Sequence, residues 1–403
     1  TWRAPGSASG STRRMTSSAR VSPVSSSHGW TPWWTAGWSR HAGARPWRAP
    51  YKGVLTHGFT VDAQGRKMSK SRGNVIAPQE VINTLGADIL RLWVAATDYR
   101  AEMSISDEIL KRVADSYRRI RNTARYLLGN LSDFDPAGDA VDVERMLPLD
   151  RWALAEGQAL QRQVVDAYEG YQFHQMYQKL HHFCIVEMGG FYLDVLKDRL
   201  YTTPRDSLAR RSAQTAMYHI LEALVRWLAP VLAFTSEEIW RCMPDERNES
   251  VLLNTWYSDW PDARLDEAEM DSAYWDRIIE VRQVVMRTLE AARNAGDIGA
   301  GLDAEVTIYC DQPWLNDLRV LGDELRFLFI TSGARVRALS ERPESLEPTG
   351  LEGLYVEVDK SPNEKCVRCW HRRVDVGANP EHPELCGRCI ENVEGDGEAR
   401  KFA

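Results

Sequence analysis

From Gly86 to about Asn294 the apolar residues recur at helical rather than strand spacing. Ile89, Leu90, Trp93 and Val94 form an i, i+1, i+4, i+5 stripe. A second stripe runs through Ile109, Val113, Tyr117, Ile120, Ala124, Leu127 and Leu128. Ser106 stands before it as an N-cap, with Asp107 and Glu108 placed to favour the helix start. Further helices are expected over about 148–169, 172–199, 206–229, 231–242 and 266–294, with breaks at Pro136, Pro204, Pro244 and Pro261. Successive amphipathic helices bury their stripes against one another, so residues 85–295 are expected to form a helical bundle.

Beyond Gly296 the period changes. Ala304–Cys310 alternates as a strand does, Trp314–Ile330 is helical, and Ala334–Leu339 and Leu354–Val358 return to strand patterning. Residues 296–360 are therefore expected to be a small α/β module. The last segment, 361–403, contains four of the seven cysteines: Cys366 and Cys369, then sixteen residues, then Cys386 and Cys389. Two C-x2-C pairs at this separation are what tetrahedral zinc requires. Two disulfides are the alternative, disfavoured if the compartment is reducing. Four thiolates leave no open coordination position, so one such zinc is structural. His371 is a further possible ligand that the count does not need. Arg368, Trp370, Arg372 and Arg373 lie between the pairs. Arginines beside an exposed aromatic suit single-stranded RNA, and a Trp370 packed on the preceding module is the other reading.

The first fifty residues are unlike the rest. They lack Asp, Glu, Lys, Leu, Ile and Phe, yet hold six of the 15 tryptophans, ten serines and seven arginines. Their charge of +7 leaves −14 on the other 353 residues, against −7 for the whole. With Val21 and Val24 as its only branched aliphatic residues, such a segment builds no core. A basic disordered arm, a transit peptide and a GC-rich reading frame translated out of register all give this composition; the last accounts best for the missing acids and aliphatics. Residues 1–47 are set apart on this ground. Elsewhere no run of 18 apolar residues and no secretory signal is found, and the scattered Cys184, Cys242 and Cys310 fit reduced core thiols, so a cytoplasmic protein with no membrane partner is expected.

Residues 65–74 read GRKMSKSRGN, between a strand expected over Tyr51–Val61 and a helix opened by Pro78. Lys67 and Lys70 put two mobile ammonium groups within reach of one polyanion, Ser69 and Ser71 add hydroxyl donors, and Gly65 and Gly73 allow close backbone approach. Such a loop can stabilise charge building on a triphosphate as pyrophosphate leaves. A solvated basic turn is the plain alternative.

KMSKS in this setting resembles the second signature of class I aminoacyl-tRNA synthetases. The strings Thr84–Tyr99, Ile105–Arg112, Tyr117–Leu131, Tyr177–Thr202 and Ala223–Trp240 are similar to bacterial isoleucyl-tRNA synthetase, and the likeness extends from Arg48 to the C-terminus. It implies that 48–84 is the end of an α/β nucleotide-binding catalytic domain, that 85–295 is an anticodon-binding domain, and that Lys67, Met68, Ser69, Lys70 and Ser71 face ATP phosphates, with Lys67 and Lys70 catalytic. It also implies ATP with Mg2+, isoleucine, an isoleucine-acceptor tRNA and a monomer. The family's reaction needs an H-x-G-H sequence and an editing region; no H-x-G-H occurs in these 403 residues. Arg72 stands where many relatives carry an apolar residue. The expectation is a mainly α chain with the family's KMSKS loop and tRNA-binding region, inactive alone in aminoacylation. The competing readings are a non-catalytic RNA-binding protein and a DNA-binding zinc ribbon. Two lesser clusters, His181, His182 and Cys184, and Arg118, Arg119, Arg121 and Arg125, read first as packing and as a solvated or ion-paired face.

Overall fold

The computed structural model describes residues 53–245, 247–263, 265 and 268–403. The reading of residues 1–47 as disordered or out of frame lies outside them. The chain enters through a strand of two residues, β1 (Thr60–Val61), which pairs in parallel with β2 (Met103–Ser104). Of the strand expected over Tyr51–Val61, only Thr60–Val61 forms among the described residues. Its apolar residues Val54, Leu55 and Phe59 are exposed, and a strand buried on neither face gains little from extending.

Between the two strands lie α1 (Pro78–Leu85) and α2 (Ala87–Ala96). Pro78 occupies the first turn of α1 as its sequence position suggests. On α2 the buried stripe is Ile89, Leu92 and Trp93, while Val94 faces outward. The expected stripe was offset because Leu92, not Val94, lies nearest the centre of the packed face. Next comes α3 (Asp107–Asn130), whose Ser106 accepts the Ile109 amide at 3.3 Å. Val113, Ile120, Ala124 and Leu127 are buried along it, with Ile109, Tyr117 and Leu128 at the margins of the stripe.

After a short turn of helix, α4 (Pro136–Asp139), the bundle continues through α5 (Pro148–Glu169), α6 (Phe173–His182), α7 (Leu193–Thr202), α8 (Leu208–Leu228) and α9 (Ala233–Trp240). Where one helix over 172–199 was expected, α6 and α7 are joined by a π-helical stretch, Phe183–Tyr192. The wider turn leaves carbonyls open to side chains. Thr123 donates its hydroxyl to the Cys184 carbonyl at 3.2 Å, and Arg282 donates to the Gly190 carbonyl at 2.7 Å. Trp152, Phe191 and Trp275 gather beside this stretch, Trp152 and Phe191 edge to face at 5.1 Å.

The last long helix is α10 (Ser272–Ala295), capped by Asp271, which accepts the Tyr274 amide at 2.7 Å. It packs under a three-stranded sheet of β3 (Ala304–Cys310), β4 (Gly333–Ala338) and β5 (Leu354–Lys360). β3 is central, parallel to β4 and antiparallel to β5, with Val306 opposite Ala334 and Val358. α11 (Trp314–Val320) and α12 (Leu325–Phe329) make the crossover. A knuckle ending in α13 (Gly387–Glu394) follows. The C-terminal tail then returns to the body: Glu324 accepts the amides of Lys401, Phe402 and Ala403, and the Phe402 carbonyl accepts the Leu149 amide at 3.1 Å.

A carboxylate is wholly buried inside the bundle. Asp150 on α5 accepts from Tyr192 at 2.8 Å, Arg199 at 2.6 Å and Ser212. Arg199 is buried as well, so the pair holds only while both partners are present. Asp150→Ala leaves an uncompensated guanidinium in the core. A loss of about 3–5 kcal/mol is expected, read as a lowered urea midpoint.

Candidate functional site

The loop over residues 65–74 hangs from a carboxylate. Asp62 accepts from the amides of Gln64 and Arg66 at 3.0 and 2.9 Å, from Arg66 Nε at 2.8 Å, and from Asn74 Nδ2 at 2.9 Å. The hydrogen bond from Asn74 is the chief reason its carboxyl is held well below the usual range. Asn74 also accepts the Ser69 amide at 3.0 Å, so Asp62 and Asn74 together close the base of the loop. Within it Lys70–Arg72 forms one 3-10 turn, ended by Gly73 at φ 66°, and Gly65 sits at φ 72°. Ser69 and Ser71 hydroxyls lie 3.2 Å apart. Met68 is half-buried against the core and anchors the loop from inside. Lys70 is exposed, and Lys67 rests its ammonium 4.5 Å from the centre of the Phe59 ring. Neither Asp62 nor Asn74 was singled out from sequence, where DAQG reads only as a turn.

At the other end, Cys366, Cys369, Cys386 and Cys389 are all buried, with their four sulfurs within 4.8 Å of one another. Among the described residues no other set of three or more His, Cys, Asp or Glu ligand atoms converges this way. Cys369 and Cys386 sulfurs are 3.7 Å apart, close to the ~3.8 Å edge of a tetrahedron with Zn–S bonds of ~2.3 Å and far from an S–S bond. The Cys386 amide points at the Cys366 sulfur at 3.4 Å. Hydrogen bonds from Cys386 and Cys389, then the positive charge of Arg388, push the Cys369 thiol far below its usual value. The donor set, its spacing and its burial fit one four-coordinate zinc, and a thiolate-rich centre of this kind supplies folding energy and no open position for chemistry. His371 is not part of it. Its ring stands edge-on to Phe327, with Nε2 3.5 Å from Asp198 and Nδ1 3.2 Å from Arg326.

The residues around the cysteines divide. Arg372 is committed to Asp303 at 2.9 Å and to the Asn363 carbonyl at 3.1 Å. Arg373 lies 3.9 Å from Asp323 and 4.0 Å from Asp375. Arg368 donates to the Thr202 carbonyl at 2.7 Å. Trp370 is 59% exposed, with Lys365 5.5 Å from its ring. Its φ is +65°, a left-handed conformation that costs a bulky residue about 1–2 kcal/mol and that glycine adopts freely. Beside it opens a cleft of about 510 Å³, walled on the bundle side by Lys197, Tyr201 and Thr202 and on the knuckle side by Arg368 and Trp370. The α7 wall was not foreseen, since Lys197 and Tyr201 carry no motif. Elsewhere, Cys184 is buried, His181 packs on Tyr177 and His182 lies 3.9 Å from Glu187. Arg118 and Arg121 pair with Asp115 and Glu238, and Arg119 and Arg125 are exposed.

Three family models match the chain. Residues 38–106 match class I tRNA synthetases (I, L, M and V), residues 150–308 the anticodon-binding domain of tRNA ligase, and residues 363–392 the zinc finger found in FPG and IleRS. The isoleucine–tRNA ligase of Thioalkalivibrio sulfidiphilus is 62% identical over 359 residues. Those of Methylococcus capsulatus and Nitrosococcus oceani are each 60% identical, over 356 and 355 residues. The chain belongs to the isoleucine–tRNA ligases. The match to these ligases covers 88% of the chain, which spans 38% of their length. The class I match begins at residue 38, ten residues before the boundary at 48 drawn from composition. Within this ligase segment the loop of Lys67–Ser71 and the four cysteines fall inside the matched residues. No helix among the described residues is long and apolar enough to cross a membrane.

If the cysteines hold one zinc, metal analysis returns one zinc per chain, and Cys386→Ser lowers it to near zero. The same change melts the knuckle, seen as rapid amide exchange over residues 363–392, because the segment has no core of its own beyond the four sulfurs and the flanking Val376 and Leu385.

Proposed function

We propose that this chain is the part of an isoleucine–tRNA ligase that works on the pyrophosphate side of ATP and on the tRNA. In the family reaction isoleucine is joined to AMP as pyrophosphate leaves, and the aminoacyl group then passes to an isoleucine-acceptor tRNA. Lys67 and Lys70, with Ser69, Ser71 and the backbone at Met68, meet the phosphates and stabilise charge as it builds on the leaving pyrophosphate. Mg2+ accompanies ATP and neutralises part of that charge. Helix α3 and the bundle carry the tRNA, and the zinc knuckle supplies Arg368 and Trp370, with Arg372 and Arg373 behind them. A cytoplasmic monomer fits this reading.

The observation that carries the tRNA side is Trp370. A large aromatic is held at positive φ, largely exposed, where glycine would relieve the backbone. The cleft beside it is lined by Tyr201, by Lys197 paired with Asp194 at 2.8 Å, and by Arg368 on the Thr202 carbonyl, and its aromatic side chains suit an unstacked base. Arg372 and Arg373 already have acidic partners, so their part is support rather than direct contact.

Trp370→Gly separates this from a packing role. It is expected to weaken binding of isoleucine-acceptor tRNA about tenfold, in line with the ~1–3 kcal/mol of a base–aromatic stack. The melting temperature should hold or rise, since glycine removes the backbone strain. A packing role requires the reverse: unchanged affinity and a lowered melting temperature.

The loop is tested by isoleucine-dependent ATP–pyrophosphate exchange. The 403-residue chain by itself is expected at background, since it contains no H-x-G-H. Exchange above background overturns this. Salt-sensitive tRNA binding without any exchange, even when the chain is joined to the preceding portion of a relative, favours the RNA-binding protein instead.

A further inference from the structure

Helix α7 reaches the knuckle through one carboxylate. Asp198 takes both Nη atoms of Arg388, at 2.6 and 2.8 Å, and Nη2 of Arg400 at 2.5 Å, and lies 3.5 Å from His371 Nε2. Arg388 sits between Cys386 and Cys389, His371 follows Trp370, and Arg400 belongs to the C-terminal tail. Arg388 and Arg400 also share Glu398, at 3.0 Å each, and stand over the Phe327 ring together with Arg326. One turn along the helix, the Thr202 carbonyl holds Arg368. The residues on both sides of Trp370 are thereby fixed to α7, the helix that carries Tyr201 and Lys197 on the opposite wall of the cleft. Arg368 also reaches Cys389 Sγ at 4.0 Å, and Arg388 stands beside the Cys369 thiol, so the clamp adjoins the metal site and zinc content must be read alongside any effect on placement.

We infer that Asp198 is a positioning residue for nucleic-acid binding: it sets the zinc knuckle against α7 so that Trp370 and Tyr201 line one cleft. This rests on the reading of the cleft as an RNA site. A carboxylate is needed rather than any polar group of the same shape, because the bidentate bond to Arg388 and the bond to Arg400 are charge-assisted. An amide at this place accepts on one atom only and leaves two buried guanidinium groups sharing the single carboxylate of Glu398.

The test uses the full chain with four variants: Asp198→Asn, Asp198→Glu, Trp370→Ala, and Asp198→Asn combined with Trp370→Ala. Three quantities are read: zinc content, amide exchange over residues 365–373, and affinity for isoleucine-acceptor tRNA. Asp198→Asn is expected to keep one zinc, to speed exchange over 365–373, and to weaken tRNA binding about tenfold, equivalent to ~1.4 kcal/mol. In the Trp370→Ala background the same change should cost less than about twofold, since a residue acting through Trp370 has nothing left to position. Asp198→Glu, which keeps the charge, should recover most of the affinity. Unchanged exchange in Asp198→Asn, or losses that simply add in the double variant, overturns the inference. A wild-type chain that binds no tRNA overturns the RNA reading as well, and the exchange data then show whether the clamp exists apart from it. Loss of zinc in both Asp198 variants also overturns the inference, because the carboxylate would then serve metal-site folding rather than placement.

Discussion

Two neighbouring residues of α7 carry opposite charges in opposite directions, and the arrangement of the whole chain depends on them. Arg199 turns inward to Asp150, Tyr192 standing beside it on the same carboxylate. Asp198 turns outward to Arg388, Arg400 and His371. One turn earlier Asp194 takes Arg282 from α10 at 2.9 Å. A ten-residue helix is thus tied to the bundle, to the helix under the sheet and to the zinc knuckle at once. Buried ion pairs add little net stability, because desolvation consumes most of the Coulomb gain. What they supply is direction. A misplaced apolar contact costs a fraction of its burial energy, whereas a misplaced buried charge costs several kcal/mol. The small modules after residue 296 are held at one place on the bundle for that reason.

The knuckle shows why two kinds of fastening are present. Its four sulfurs close a local structure whose only apolar support is Val376 and Leu385. Zinc would make that structure rigid but says nothing of where it sits. Its position comes from arginines and a histidine in the loops around the sulfurs, from the tail held by Glu324, and from a tight interlock of Arg372 with Asp303. These same arginines look in sequence like a nucleic-acid surface. Most of their charge is spent inside the protein, and what remains on the outside is Trp370 and the cleft beside it.

That contrast marks what could be read from the residues alone. The cysteine pairs were legible because metal geometry fixes spacing within a few residues. The stripe of α3 and the extent of α5 were legible because each helix buries one face continuously. Ser106 and Pro78 were legible because caps obey local rules. Long-range polar contacts were not. Asp198 meets partners about two hundred positions away, and Asp62 differs from any turn aspartate only through Asn74. The π-helical stretch over Phe183–Tyr192 escaped because its apolar residues also satisfy an ordinary helix; the open carbonyls that stabilise it bind Thr123 and Arg282 from other helices. The strand expected before Val61 failed for the complementary reason, since periodicity records what a segment could pack and not whether anything covers it.

The loop end has a different balance from the knuckle end. Val54, Leu55, Phe59, Leu85 and Val94 are exposed there, around a parallel pair only two residues long. Parallel strands are normally covered on both faces, whereas these apolar side chains are exposed. In its present setting Phe59 offers its ring to Lys67 instead. A cation over an exposed ring is worth about 0.5–1 kcal/mol. A charge-assisted bond from the same ammonium to a phosphate oxygen is worth ~1.5–3 kcal/mol, before the second lysine is counted. On the proposed reading of the loop, a polyphosphate within reach would therefore draw Lys67 off the ring. Asp62 and Asn74 close the base of the loop through bonds that do not involve the Lys67 side chain, so such a shift would need no refolding of the turn.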